Sequence, residues 1–340
     1  MDEWLNDRKQ RVVLNGDVSE WGDILSVVVQ GSVLGPTLFL CFINDLDLAV
    51  DMTMAAVGEQ RCCIIKKFAD DTKWGAVVES AEDRACFQAG LDSLQAWADT
   101  WQMQYNVDKC HILHVGKNNR RQEYQLGGRT LEASRWEKDV GVIIHDDLKP
   151  SLQCARAAAK ANQVLGQIVR GVCFRDKDTM LRLYKTYVRP HLEYCQAAWS
   201  PWTLGDKNVL EQVQKRAVKL MTNLKCKTYE GRLKELGLTT LEERRKRGDM
   251  ITMFRIMTGK DKVDPSLWFS LTTPRSGAAS TRQNTGWLNV EKPPRSSWEL
   301  RRIQFSQRTV DAWNLLPDWV KQVSTVNSFK NSLDKHWYGR

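Results

Sequence analysis

Asp70 and Asp71 are adjacent carboxylates in Phe68-Ala69-Asp70-Asp71-Thr72-Lys73, between an apolar run that closes at Ala69 and another that runs from Thr72 to Val78. Neighbouring anions repel each other, and Asn-Gly or Asp-Gly would make a tight turn with less strain. A cation would offset the repulsion. Carboxylate oxygens on a turn suit Mg²⁺, a hard ion that keeps coordination sites open for substrate phosphates. Two such ions, about 3.5–4 Å apart, lower the pKa of an attacking hydroxyl and stabilise leaving pyrophosphate. That is the chemistry of nucleotidyl transfer. Taken alone, an Asp-Asp pair is an exposed turn far more often than a metal site.

A second group, Cys110, His111 and His114 in Lys-Cys-His-x-x-His, reads better as alternating strand positions than as zinc ligands. The nine cysteines are scattered, and no Cys-x-x-Cys pair occurs. With no signal peptide ahead of them, reduced thiols in an intracellular protein, nuclear or cytoplasmic, are expected. No apolar run is long enough for a transmembrane helix, so no membrane is expected as a partner. Net charge is +9, unevenly spread: residues 1–100 carry 8 basic and 17 acidic side chains, and the remaining 240 carry 42 and 24. This asymmetry suggests an acidic, metal-holding part and a basic part facing a polyanion.

The elements around these residues have readable signals. Residues 8–29 read as a hairpin, with strands Arg11 to Leu14 and Ile24 to Val29 about Asn15-Gly16-Asp17. Pro36 fits the first turn of a helix through Leu38 to Leu48, and 50–62 reads as a loop. Residues 63–78 form the Asp-Asp hairpin. Ser80 with Asp83 resembles a capping box, ahead of a helix whose Phe87, Leu91, Leu94, Ala98 and Trp101 share a face. Trp97, Trp101 and Trp199 are expected in the core. Lys109 to Val115 and Val140 to Ile144 read as strands, and Tyr124 to Leu131, around Gly127-Gly128, as a short hairpin.

After Pro150 the pattern turns helical. Cys154, Ala158, Ala161, Leu165 and Ile168 form one stripe, helices follow at 178–188 and 208–223, and Glu211 and Lys215 form an i,i+4 pair. The run Glu-Glu-Arg-Arg-Lys-Arg, 242–247, reads as a solvated helix face. Residues 272–297 have a linker's composition, and two short helices broken at Pro317 are expected after Trp298. The fold class expected is α+β.

The order Gln30-Gly31-Ser32-Val33-Leu34-Gly35-Pro36, then Ile43-Asn44-Asp45-Leu46, then Phe68-Ala69-Asp70-Asp71 resembles the reverse transcriptase of LINE-type (non-LTR) retrotransposons, in its jockey and chicken-repeat branch. The likeness continues through Leu94 to Gly116, Val188 to Trp199, Glu211 to Ala217 and Arg244 to Gly248. It implies a partial polymerase palm over 1–150, an antiparallel sheet with packed helices. A helical thumb over 151–271, a linker over 272–297 and a C-terminal helical segment over 298–340 would follow.

The same resemblance implies roles. Asp70 and Asp71 are expected as catalytic metal ligands for Mg²⁺, and Gln30 and Gly31 beside template and nucleotide. Lys109 is a candidate proton donor to pyrophosphate, weighed equally against a solvated strand residue. Residues 124–131 correspond to the primer-grip hairpin. RNA template, DNA primer and deoxynucleotides are the implied partners; no protein partner is deducible. Two departures matter. The further aspartate that the family places on a preceding strand is not found ahead of this segment. Val27-Val28-Val29-Gln30-Gly31 stands where the family has Gly-Val-Pro-Gln-Gly. The expectation is therefore a reverse transcriptase fragment inactive alone, the alternative a non-catalytic RNA- or DNA-binding remnant using the basic helical half.

Overall fold

The computed structural model describes residues 6–24, 28, 31–56, 63–173, 175–221, 226–271, 289–294 and 296–339, with side chains except at 52–56. Helices and small sheets are mixed, as an α+β chain requires. The chain divides into two compact units, Met1–Arg135 and Trp136–Arg340. This division falls earlier in the chain than the change of character near residue 150.

In the first unit, β1 (Lys9–Gln10) pairs with β4 (Gly22–Asp23) and β2 (Val13–Leu14) with β3 (Asp17–Val18). Asn15 and Gly16, both at positive φ (52° and 97°), make the turn, as a type I′ hairpin requires. The returning strand thus lies at 17–23 rather than 24–29; of the latter, 25–27 and 29 are outside the described residues. The expected single helix is two, α1 (Gly35–Phe42) and α2 (Leu46–Ala56), so helix occupies part of the expected loop 50–62. The Asp-Asp hairpin is β5 (Ile64–Phe68) and β6 (Asp71–Gly75).

Helix α3 (Ala81–Thr100) organises this unit. Its capping box is formed: Asp83 N–H donates to Ser80 Oγ at 3.1 Å, and Ser80 N–H to Asp83 Oδ2 at 2.7 Å. Phe87, Leu91, Leu94 and Ala98 are buried against Leu46, Val50 and Tyr124. The core tryptophan is Trp97; Trp101 is 47% exposed, edge-on to Phe42. Gly127 and Gly128, at φ 56° and 73°, turn β8 (Gln125–Leu126) into β9 (Arg129–Thr130). Gln88 of α3 grips this hairpin with two hydrogen bonds of 2.9 Å to the Gln125 backbone. β7 (His111–Leu113) pairs in parallel with β10 (Glu132–Ser134). Among the described residues the strands pair only in twos, not as one continuous sheet.

The second unit opens with the hairpin β11 (Trp136–Asp139) and β12 (Val142–His145). Its turn, Val140-Gly141, has φ 43° and 84°. A β-branched residue rarely adopts such a φ. Tyr194 clamps the turn: its hydroxyl donates to Val140 O at 2.9 Å and its ring lies against Gly141. Next come α4 (Ser151–Gly171), α5 (Lys177–Leu183), a π turn at Tyr184–Val188, α6 (Arg189–Glu193) and α7 (Gln196–Trp199). Three more follow: α8 (Leu204–Lys219), α9 (Tyr229–Leu236) and α10 (Leu241–Met257).

Cys154, Ala158, Ala161 and Leu165 of α4 meet Leu192, Trp199, Leu210 and Ala217 in one core. Each fully buried leucine there contributes roughly 1.5–3 kcal/mol. The C-terminal end forms five helices rather than two: α11 (Glu299–Arg302), α12 (Phe305–Arg308), α13 (Val310–Asn314), α14 (Asp318–Lys321) and α15 (Val326–Tyr338). These bury Trp313, Phe329 and Leu333 against Met253 and Phe254 of α10. Most of the expected linker lies outside the described residues. Its end is docked: Val290 bridges Leu271, and Asn314 meets both backbone groups of Val290.

Candidate metal turn and basic helix face

The register of β5 and β6 runs from Ile64↔Gly75 to Phe68↔Asp71, which leaves Ala69 and Asp70 as a two-residue loop. Only the first of these has positive φ, 52° at Ala69, a backbone region where glycine is usual. Alanine there costs about 1–2 kcal/mol. Asp70 sits at the second loop position and Asp71 opens β6, both exposed.

The hairpin beneath this turn is firmly held. Lys67 Nζ donates to Ile43 O at 3.0 Å, Asn44 O at 2.8 Å and Asp47 Oδ1 at 2.8 Å. It fills the break between α1 and α2, where carbonyls have no helical partners. Its hydrogen bond, outweighing the opposing effect of burial, holds the Asp47 carboxyl below its ordinary value. Asp45 accepts from Trp97 Nε1 at 3.0 Å, which ties the same break to α3. Trp74 of β6 stacks on Phe87 and lies so close to Gly90 that a Cβ there would approach it to 2.7 Å.

Each of the other expected site residues has its own local setting. Gln30 lies outside the described residues. Gly31 has φ 83°, and a Cβ there would meet nothing within 4 Å, so its conformation, not crowding, calls for glycine. Lys109 ends a 3₁₀ turn, Val107–Lys109, instead of opening a strand, and is exposed. Among the described residues no hydrogen bond, ion pair or strand pairing joins Asp70, Asp71, Gly31 and Lys109.

His114 is 7% exposed beside the Tyr124 ring, and burial pushes its pKa down, with Arg121 adding to the effect. Among the described residues, the one cluster with metal-ligand proximity is His145-Asp146-Asp147, whose ligand atoms lie within 4.8 Å of one another. Sequence reasoning passed over it, although His-Asp-Asp stands contiguous in the chain. Burial pushes the Asp147 carboxyl up, but the Lys149 N–H and His145 outweigh it and leave it below its ordinary value.

In the second unit the 242–247 run is not a solvated face. Arg244 pairs with Glu193, and Arg247 grips Asp334 through two hydrogen bonds of 2.6 and 2.7 Å. Arg245 is 4% exposed, and of the run only Glu243, which caps its own helix, and Lys246, in an i,i+4 pair with Glu242, are exposed. Nor does Glu211 pair with Lys215. It accepts from Tyr229 Oη, from Gln214 Nε2 at 3.2 Å and from the Leu241 N–H at 3.0 Å. Tyr184 Oη donates to Gln214 Oε1 at 2.7 Å and completes the network, while Lys215 lies over the Tyr229 ring.

Free positive charge lies on α4. Its 21 residues contain no Asp or Glu. One face is the buried stripe of Cys154, Ala158, Ala161 and Leu165; Arg156, Lys160 and Arg170 stand exposed outside it. On the packed neighbour α8, Arg216 reaches Asn162 of α4 at 3.5 Å, and Lys219 is exposed one turn along. Among the described residues none of these five forms an ion pair. No described helix is long and apolar enough to cross a membrane.

The chain is similar to the RNA-directed DNA polymerase from mobile element jockey of Drosophila melanogaster, 25% identical over 199 residues, and to that of Drosophila funebris, 31% identical over 202 residues. The matches cover 56% and 55% of this chain and 21% of each relative, so the chain spans about a fifth of their length. No family model and no solved structure matches it. The chain is thus related to the non-LTR retrotransposon reverse transcriptases that its motifs resemble.

Proposed function

We propose that the chain is a reverse-transcriptase-related, nucleic-acid-binding protein. Its helical, thumb-like unit holds an RNA template and DNA primer by their phosphates. Asp70 and Asp71, on a palm-like unit, supply one carboxylate pair toward two-Mg²⁺ transfer of deoxynucleotides. Alone, the chain is inactive. Among the described residues no further carboxylate joins these two, and electrostatic clamping is usually the largest part of such catalysis. The observation that carries the binding reading is the unpaired cationic face of α4 and α8. Lys and Arg aligned without acidic neighbours release counterions when they meet phosphates.

The test is binding of an RNA–DNA hybrid, followed by fluorescence anisotropy across a salt series. Binding should weaken steeply with salt. Arg156→Gln/Lys160→Gln/Arg170→Gln should flatten the slope by about 0.9 for each phosphate no longer neutralised. Salt-independent binding by both proteins would sink the reading. A primer-extension assay with Mg²⁺ should show no product for the chain or for Asp70→Ala. Product made by the chain and absent in the variant would prove a complete metal site.

A further inference from the structure

Helices α3 and α4 turn opposite charges outward. The face of α3 directly away from its core runs through Glu82, Ala85, Ala89, Asp92, Ala96 and Asp99, spaced by three and four residues. Glu82, Asp92 and Asp99 are exposed. Asp92 and Asp99 accept from Gln88 and Gln95 of their own helix at 2.8 and 2.7 Å. Among the described residues none of the three forms an ion pair. The outward face of α4 carries exposed Arg156, Lys160 and Arg170 around Ala155, Ala159 and Gly166. The two helices match in length, 20 and 21 residues, about 30 Å each. Laid antiparallel, Arg170 stands level with Glu82 and Lys160 with Asp92, because ten residues separate 160 from 170 and 82 from 92. Arg156 then comes within one turn of Asp99.

We propose that the outward face of α3 docks antiparallel on the outward face of α4 in a second copy of this chain. Charge selects this pairing. Two α3 faces repel each other, as do two α4 faces, whereas each chain carries one face of either sign. Alanine and glycine between the charges let the helix axes approach toward the near end of the 8–10 Å range of packed helices. The antiparallel order sets each helix N-terminus beside its partner's C-terminus, where the helix dipoles attract. Exposed ion pairs are individually weak and screened by salt. A contact between two helix faces is also small beside an obligate interface. The association is therefore reversible and salt-sensitive. It does not need the nucleic-acid reading; where both hold, phosphates and α3 compete for α4. Measured with no nucleic acid present, its failure and the failure of hybrid binding are separate results.

The experiment follows the full chain by sedimentation velocity over a concentration series. In low salt the sedimentation coefficient should rise with concentration, and in about 0.5 M salt it should stay at the monomer value. Asp92→Lys/Asp99→Lys should weaken association by at least about tenfold, and so should Arg156→Glu/Lys160→Glu. All four positions are exposed and clear of the helix ends, so circular dichroism and Tm should match the parent chain. Where a reversal does lower Tm, Asp92→Asn/Asp99→Asn and Arg156→Gln/Lys160→Gln take its place, with weakening in the same direction. Mixed together, the two reversed variants should associate, since each keeps the face that the other has lost. The chain carrying all four reversals should self-associate like the parent, because both faces have changed sign together. A parent chain that stays monomeric in low salt at its highest attainable concentration would overturn the proposal. Association undiminished in both variants would do the same. Loss in each variant without recovery in either the mixture or the fourfold chain would also overturn it.

Discussion

Motif residues are employed differently in the two units. In the second unit they are absorbed by structure. Glu211 and Gln214 complete a buried network with two tyrosines, Arg244 holds Glu193, and Arg247 holds Asp334. In the first unit, Asp45 and the backbone of Ile43 and Asn44 are likewise consumed in anchoring. Asp70, Asp71 and Lys109 are not; they stand exposed at a turn tip and a 3₁₀ end. Polar residues that satisfy buried partners explain their own presence. Exposed carboxylates on a strained turn have no such structural account, and strain of that kind collects at functional sites.

The largest expected effect tests the structural side of this contrast. Arg308 donates to Asp249 through two bonds of 2.9 Å, and also to Ala197 O and Ile303 O. Asp249→Ala leaves a largely buried guanidinium uncompensated. It should cost about 3–5 kcal/mol, read as a fall in the urea midpoint followed by a fluorophore placed in the helical unit. An unchanged midpoint would show that the ion pair is dispensable. In the first unit the counterpart is Gly90→Ala. The added methyl meets the Trp74 ring at 2.7 Å, and overpacking of this kind costs about 1–3 kcal/mol. Trp74→Leu in the same background should recover part of the stability; a double variant no better than Gly90→Ala would exclude the clash as the cause.

Local signals carried much of this into the sequence. Asn15-Gly16 and Gly127-Gly128 announce their hairpins because few other residues accept positive φ at both turn positions. Ser80 and Asp83 announce the start of α3, and the stripe of α4 follows from spacing alone. What the sequence hid was tertiary. Helix α1 stops at Ile43 because Lys67, from a distant strand, supplies a partner for its carbonyls. The 242–247 run looks solvated until Glu193 and Asp334 arrive from remote helices. Val140 looks like a strand residue, since nothing local says that Tyr194 will hold it in a turn. The Asp-Asp turn itself was legible, yet its strain at Ala69 was not.

That last pair of turns separates strain tied to a site from strain without one. Val140→Asn creates Asn-Gly at the type I′ positions of the β11–β12 turn and should stabilise the helical unit by about 1 kcal/mol. A variant of unchanged or lower Tm would show that the Val140 conformation is compensated by contacts its side chain makes. Ala69→Gly should stabilise the first unit by a similar amount while altering the set of the two carboxylates beside it.

The smallest effect sharpens the anchor beneath the carboxylates. Lys67 depresses the Asp47 pKa, so the folded state holds that carboxyl ionised to lower pH than the unfolded chain does. Its contribution is therefore complete above the ordinary carboxylate pKa, about 4, and fades as pH falls through the depressed value. Asp47 is 40% exposed, so solvent screening limits the pair to about 0.2–1 kcal/mol. Asp47→Asn should lower stability by that amount at neutral pH and merge with the parent chain in strong acid. A difference that persists below the depressed pKa would assign the effect to packing rather than to charge. Lys67 would then hold the hairpin through the Ile43 and Asn44 carbonyls alone.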